Sequence, residues 1–120
     1  MGIWLDAAYI EAQRARSLNT LGDFQAAADG FGRAIDNLPA DYHRERGVHL
    51  ARQAVALSGA GEAEEAGRAG LQALHIGVET GSGRITRELA RLETGLEKWH
   101  SVASVSEFRE AMKEAVLKQA

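Results

Sequence analysis

At 120 residues with a formal net charge of -3, the chain is long enough for one small domain with a modest core and lacks the excess of cations that phosphate backbones require. It has no cysteine, which excludes both a disulfide framework and a thiolate metal site. Low aromatic content, a hydrophobic fraction rich in Ala and Leu, and a single proline favour an all-helical protein, and the absence of a secretory apolar region or membrane-length apolar run makes a soluble cytoplasmic chain the expectation.

Apolar spacing is helical along the whole chain and nowhere strand-like. Asp6 is the expected N-cap of a first helix that reaches Leu21. Gly22-Asp23 breaks it, and a second helix is expected from Phe24 to Leu38. Pro39 bars its continuation, since proline has no amide proton and clashes with the preceding turn. Asp41 is then read as the cap of a third helix ending at Leu57, before the turn Ser58-Gly59-Ala60-Gly61. A fourth helix covers Glu62 to Thr80, and Gly81-Ser82-Gly83 turns the chain into a fifth from Arg84 to Trp99. A short connector, His100 to Ala103, leads to Ser104-Val105-Ser106-Glu107, which reads as a capping box for a last helix. Val105, Phe108, Met112 and Val116 share one face of that helix.

The chain also repeats itself. Gly22 and Gly61 are 39 residues apart, and the same shift lays Ala15 on Ala54, Leu18 on Leu57, Ala27 on Ala66, Ala34 on Ala73 and Ile35 on Leu74. Small residues are needed where paired helices cross closely, and large ones fill the space beside them. The alanines are therefore expected to be packing surfaces between units that cannot bury their apolar faces alone.

GDFQAAADGFGRAIDNLP, residues 22–39, resembles the second half of a tetratricopeptide repeat: the Gly-Asp-aromatic turn, Ala27, the aromatic Phe31, Ala34 and the closing proline. GAGEAEEAGRAGLQAL, opening at the second of these turns, is similar but keeps only Gly61, Ala66 and Ala73, with Ala63 and Gly70 where an aromatic is usual and Val78 where proline would stand. The first helix departs too, with Glu11 and Arg14 at positions of bulky packing residues. The resemblance implies an all-α, right-handed helical-hairpin array forming one domain over residues 1–120. Its units would be residues 6–39, residues 41–80, an incomplete third over 82–103, and a capping helix over 104–120. The whole chain is also similar to the C-terminal region of some actinomycete transcription regulators, which carry a Cro/repressor-type helix-turn-helix ahead of tetratricopeptide-like repeats that sense a peptide or protein. WLDAAYIEAQRARSLNTLGD, the Thr80-Gly81-Ser82 turn, the fifth helix rich in Arg and Leu, and the connector leading to Phe108 carry that match.

No constellation supports catalysis. His43 and His49 lie six positions apart on one expected helix, off a common face, and His75 and His100 have no ligand spacing, so surface or capping roles outweigh metal ligation. His49 is placed to sit at a unit interface and titrate near neutrality. Glu62, Glu64 and Glu65, and Glu107, Glu110 and Glu114, read as solvated helix starts and faces. The serines read as caps and turn residues. Thr80-Gly81-Ser82-Gly83-Arg84 has neither the strand nor the lysine of a phosphate loop and reads as a helix–helix turn. His43-Arg44-Glu45-Arg46 with Arg52, and Arg84, Arg87 and Arg91, could form an anion patch; interspersed glutamates and the Arg84–Glu88 spacing favour a solvated face. No cofactor and no metal is expected.

In the family the resemblance points to, the inner face of the array holds extended peptides. The register puts Tyr9, Ala12, Arg16 and Asn19 on that face, with Val48, Ala51, Val55 and Ser58, then Thr86, Ala90 and Glu93. This mostly small lining with one arginine differs from the Lys- and Asn-rich clamp that some relatives use for a terminal carboxylate. A short apolar peptide or a partner helix is the expected ligand. Trp99 continues the stripe Ile85, Leu89, Leu92 and Leu96 and reads as core. Trp4 and Leu5 precede the first expected cap with nothing before them to cover them, so that end is expected to stack on an upstream domain or a second copy. Two functions follow as expectations: a non-enzymatic peptide or protein interaction module, as in the sensor part of a transcription regulator, or a structural oligomerisation element. Neither involves membrane or direct nucleic-acid binding.

Overall fold

A computed structural model describes the backbone of residues 3–119 and the side chains of residues 6–118. Its described residues form an all-helical chain without strands: α1 (Ile3–Thr20), α2 (Phe24–Asp36), α3 (His43–Gly59), α4 (Ala63–Thr80), α5 (Gly83–Gly95), a single 3-10 turn (Glu97–Trp99) and α6 (Ala103–Gln119). None of the helices is long and apolar enough to cross a membrane.

The turns are built alike. After α1 the amide of Gly22 donates to Asn19 and that of Asp23 to Leu18; after α3 the amide of Gly61 donates to Ser58 and that of Glu62 to Leu57. Ser82 donates to Gly77 in the same way after α4. The central glycines hold φ of +86°, +81° and +66°, a left-handed conformation that an L side chain enters only at a cost, which is why glycine recurs there. These bonds satisfy the last carbonyls of one helix and aim the chain back along it. Of the starts of α2 to α5, only that of α5 has a side-chain cap: Ser82 accepts from the amide of Ile85 at 3.3 Å.

Short turns fold each of α2 to α5 against its predecessor; α3 also packs on α5, and α6 packs on α4. The result is two layers, α1, α3 and α5 in one and α2, α4 and α6 in the other, flattened to 40 × 29 × 19 Å. The repeat positions hold the layers together. Ala15 and Ala54, Ala27 and Ala66, and Ala34 and Ala73 are all fully buried. Bulk enters mainly in the second half, where Leu74, Ile85, Leu89, Leu92, Leu96, Val105 and Phe108 fill the core beside Phe31 from α2.

Several helix boundaries differ from the sequence expectation. α1 begins at Ile3, so Asp6 lies within its first turn and does not cap it. α3 begins at His43 with Tyr42, not Asp41, in the cap position and without a side-chain cap bond. α5 stops at Gly95, and the 3-10 turn carries the chain through Trp99, which is half-buried against the core. α6 starts at Ala103, which puts Ser104 inside the helix and dissolves the expected capping box. The Ser104 hydroxyl donates instead to the carbonyl of Glu64 across the α4–α6 contact, at 2.7 Å. A tertiary acceptor one bond away competes successfully with the local cap.

Val105, Phe108 and Met112 are buried as the stripe predicts, but Val116 is 60 % exposed. Ser104 lies beside Gly67, and Phe108 beside Gly70. The same offset brings Val116 level with Val78 of α4, which is itself 55 % exposed. The apolar strip between the two helices has ended there. The side chains of Trp4 and Leu5 fall outside the described residues.

Candidate binding groove

The concave side of the α1, α3 and α5 layer holds a cavity of about 550 Å³. Helical spacing explains its walls. Tyr9, Ala12 and Arg16 rise one turn apart on α1, and Val48 and Arg52 do the same on α3. Leu38 and Tyr42 close one end from the α2–α3 connection, while Arg84 reaches in from the start of α5. A smaller recess of about 130 Å³ continues past Arg16 and Arg52 to Asn19, Val55, Glu88 and Arg91.

The groove residues expected from sequence divide. Tyr9, Arg16 and Val48 line the larger cavity, and Arg16, Asn19 and Val55 the smaller. Ser58 is buried against Gly95 behind the groove. Thr86 turns its hydroxyl back to the carbonyl of Gly83 at 2.9 Å. Glu93 borders a separate depression with His100, Arg109 and Lys113 of the α6 side.

The expected face of α5 is therefore displaced. Ile85, Leu89, Leu92 and Leu96 are buried, and the residues just before them, Arg84, Glu88 and Arg91, flank that stripe on the concave side. Thr86, Ala90 and Glu93 lie two positions further round, about 200° away. The lining accordingly contains not one arginine but four: Arg16, Arg52, Arg84 and Arg91. Arg52 was also legible in sequence. It stands one turn after Val48 and three residues before Val55, on the face already assigned to the groove.

Electrostatics follow from this convergence. The expected Arg84–Glu88 pair does not form; Glu88 lies 3.6 Å from the Arg52 guanidinium across α3 and α5. Burial depresses the Arg52 pKa first, and Arg16 and Arg84 press in the same direction against the support of Glu88. Arg16, Arg84 and Arg91 have no ion pair among the described residues. Two buried polar atoms border the groove without a hydrogen-bond partner, Nδ1 of His49 and Oδ1 of Asn19.

No family model, curated protein or solved structure matches the chain. Chemically, a groove with apolar walls and guanidinium donors is suited to holding a ligand. Among the described residues no three His, Cys, Asp or Glu side chains cluster as metal ligands would.

His49 does not titrate near neutrality. Burial first, then the charge of Arg52 and least of all that of Arg84, lower its pKa to about 4 against the opposing charge of Glu45. The unfolded chain takes up this proton near the ordinary 6.5, so stability present above that pH is lost as pH falls towards about 4. Urea unfolding at about pH 7.5 and about pH 5 is expected to show a lower midpoint at the acid value, with the difference reduced in His49→Gln. An undiminished difference in the variant would place the proton elsewhere.

Proposed function

We propose that the chain is a tetratricopeptide-like helical-hairpin array that works as a non-enzymatic peptide or protein interaction module. The α1/α3/α5 groove carries this reading: a cavity of about 550 Å³ lined from all three of these helices. Supporting it are the paired turns and the buried alanines that recur 39 residues apart, a pattern suited to stacked units with one curved face. The resemblance to repeat regions of transcription regulators suggests a sensor that passes peptide occupancy to an attached domain in the cytoplasm. The alternative is self-association with no peptide ligand.

A display library of random linear peptides, selected on the protein and then photo-crosslinked, separates the two. The crosslinker goes at Tyr9, exposed at the groove mouth, and in a second sample at Val78, exposed on α4. Selected peptides are expected to capture at Tyr9 and not at Val78. Equal capture at both sites, or no enrichment together with a concentration-dependent mass in light scattering, would turn the assignment over to self-association.

A further inference from the structure

We infer that the groove selects a partner segment carrying an acidic side chain next to apolar ones, with the carboxylate entering between Arg16, Arg52 and Arg84. The inference rests on the peptide-binding reading of the same groove and specifies the chemistry of its ligand.

The argument begins with charge. The chain as a whole is net negative, yet four arginines line this one concavity and only Glu45 and Glu88 oppose them. Glu88 is already engaged by Arg52, and Glu45 sits on the far side of His49 from Arg52 along α3. Three guanidiniums, Arg16, Arg52 and Arg84, thus share one lining in which Glu88 is paired to Arg52 and Glu45 is the other carboxylate. Mutual repulsion of this kind costs stability and is relieved when an anion enters. The Arg52 side chain is only 17 % exposed, so a carboxylate reaching it leaves water, where charge-assisted bonds are strongest. Arginine's planar fork suits a carboxylate with two parallel donors.

A small free anion would use only part of the site. Beside the arginines the lining is apolar, with Ala8, Ala12, Leu38 and Val48 and the rings of Tyr9 and Tyr42. These surfaces fit aliphatic or aromatic side chains. Three neighbouring helices at ordinary spacing span about 20 Å, the reach of about six extended residues. The displaced register of α5 is what creates this preference, because it replaces Thr86 and Glu93 at the groove by Arg84 and Arg91.

The test uses two pools of fluorescent capped peptides of about six residues, alternating Glu with mixed Leu, Val, Ile and Phe, or Gln in place of Glu. Binding is read by anisotropy against the wild-type chain and an Arg16→Gln/Arg84→Gln variant. Both replaced side chains are exposed and unpaired among the described residues, so the fold is expected to persist, as circular dichroism checks. The acidic pool is expected to bind the wild type about tenfold or more tightly than the Gln pool, and the variant is expected to lose that margin. Equal binding of both pools would overturn the acidic preference while leaving the groove as a peptide site. Displacement of the acidic pool by inorganic phosphate at matched ionic strength would overturn the peptide in favour of a plain anion site. Binding of neither pool would overturn both readings.

Discussion

Phe108→Ala is expected to remove roughly 3–5 kcal/mol of stability, a large share of what a domain of this size possesses. The ring is fully buried, and it lies against Gly70 of α4 where α6 docks. Among the described residues α6 packs chiefly on α4, and this ring is a wedge of that interface. Removing it leaves a cavity that neither neighbour can fill, because Gly70 has no side chain to move and Leu92 already abuts it. Chemical denaturation followed at 222 nm reads the change, with Val116→Ala as the comparison. Val116 shares the stripe but is exposed, so its truncation should fall within about 0.5 kcal/mol of the wild type. A Phe108→Ala loss below about 1 kcal/mol would mean that α6 does not dock on α4 in solution.

The contrast between Phe108 and Val116 shows where sequence reasoning reaches and where it stops. Periodicity placed both on one face correctly; it could not say how far the partner helix extends beneath them. The alanine pairs were legible because they recur at a fixed separation, and a recurring small residue has few uses other than a close crossing. Caps fared worse. Asp6, Asp41 and Ser104 all have the chemistry of N-caps, yet helix starts are decided by what the flanking chain packs against, and Ser104 found its acceptor on another helix. The groove lies between these cases. Tyr9, Arg16, Asn19, Val48 and Val55 follow from the register of the first two units. Arg84 and Arg91 do not, because α5 is set by its own apolar stripe and not by the repeat. A third unit that has lost the turn and alanine pattern no longer transmits the register, and the electrostatic character of the groove depends on that unit.

Gly67→Ala tests a close approach of α6 backbone to α4, and its expected sign runs against local preference. In an isolated helix the change would be favourable by about 1 kcal/mol, since alanine is the better helix former. In α4 the added methyl would stand 2.7 Å from the carbonyl carbon and 2.6 Å from the hydroxyl oxygen of Ser104. Backbone atoms of a packed helix cannot rotate aside as a side-chain tip can. The two helices must separate, which also stretches the Ser104 bond to Glu64 and loosens the seat of Phe108. Overpacking of this kind costs roughly 1–3 kcal/mol, enough to reverse the propensity gain. Gly83→Ala supplies the control, because a methyl there meets only the flexible end of Arg87 at 3.4 Å, and it should be neutral or slightly stabilising. Adding Ser104→Ala to Gly67→Ala removes the hydroxyl but keeps the carbonyl, so little stability should return. Full recovery in the double variant would show that the clash was with the side chain alone, and a Gly67→Ala chain as stable as the wild type would mean that α4 and α6 lie further apart than 2.7 Å allows.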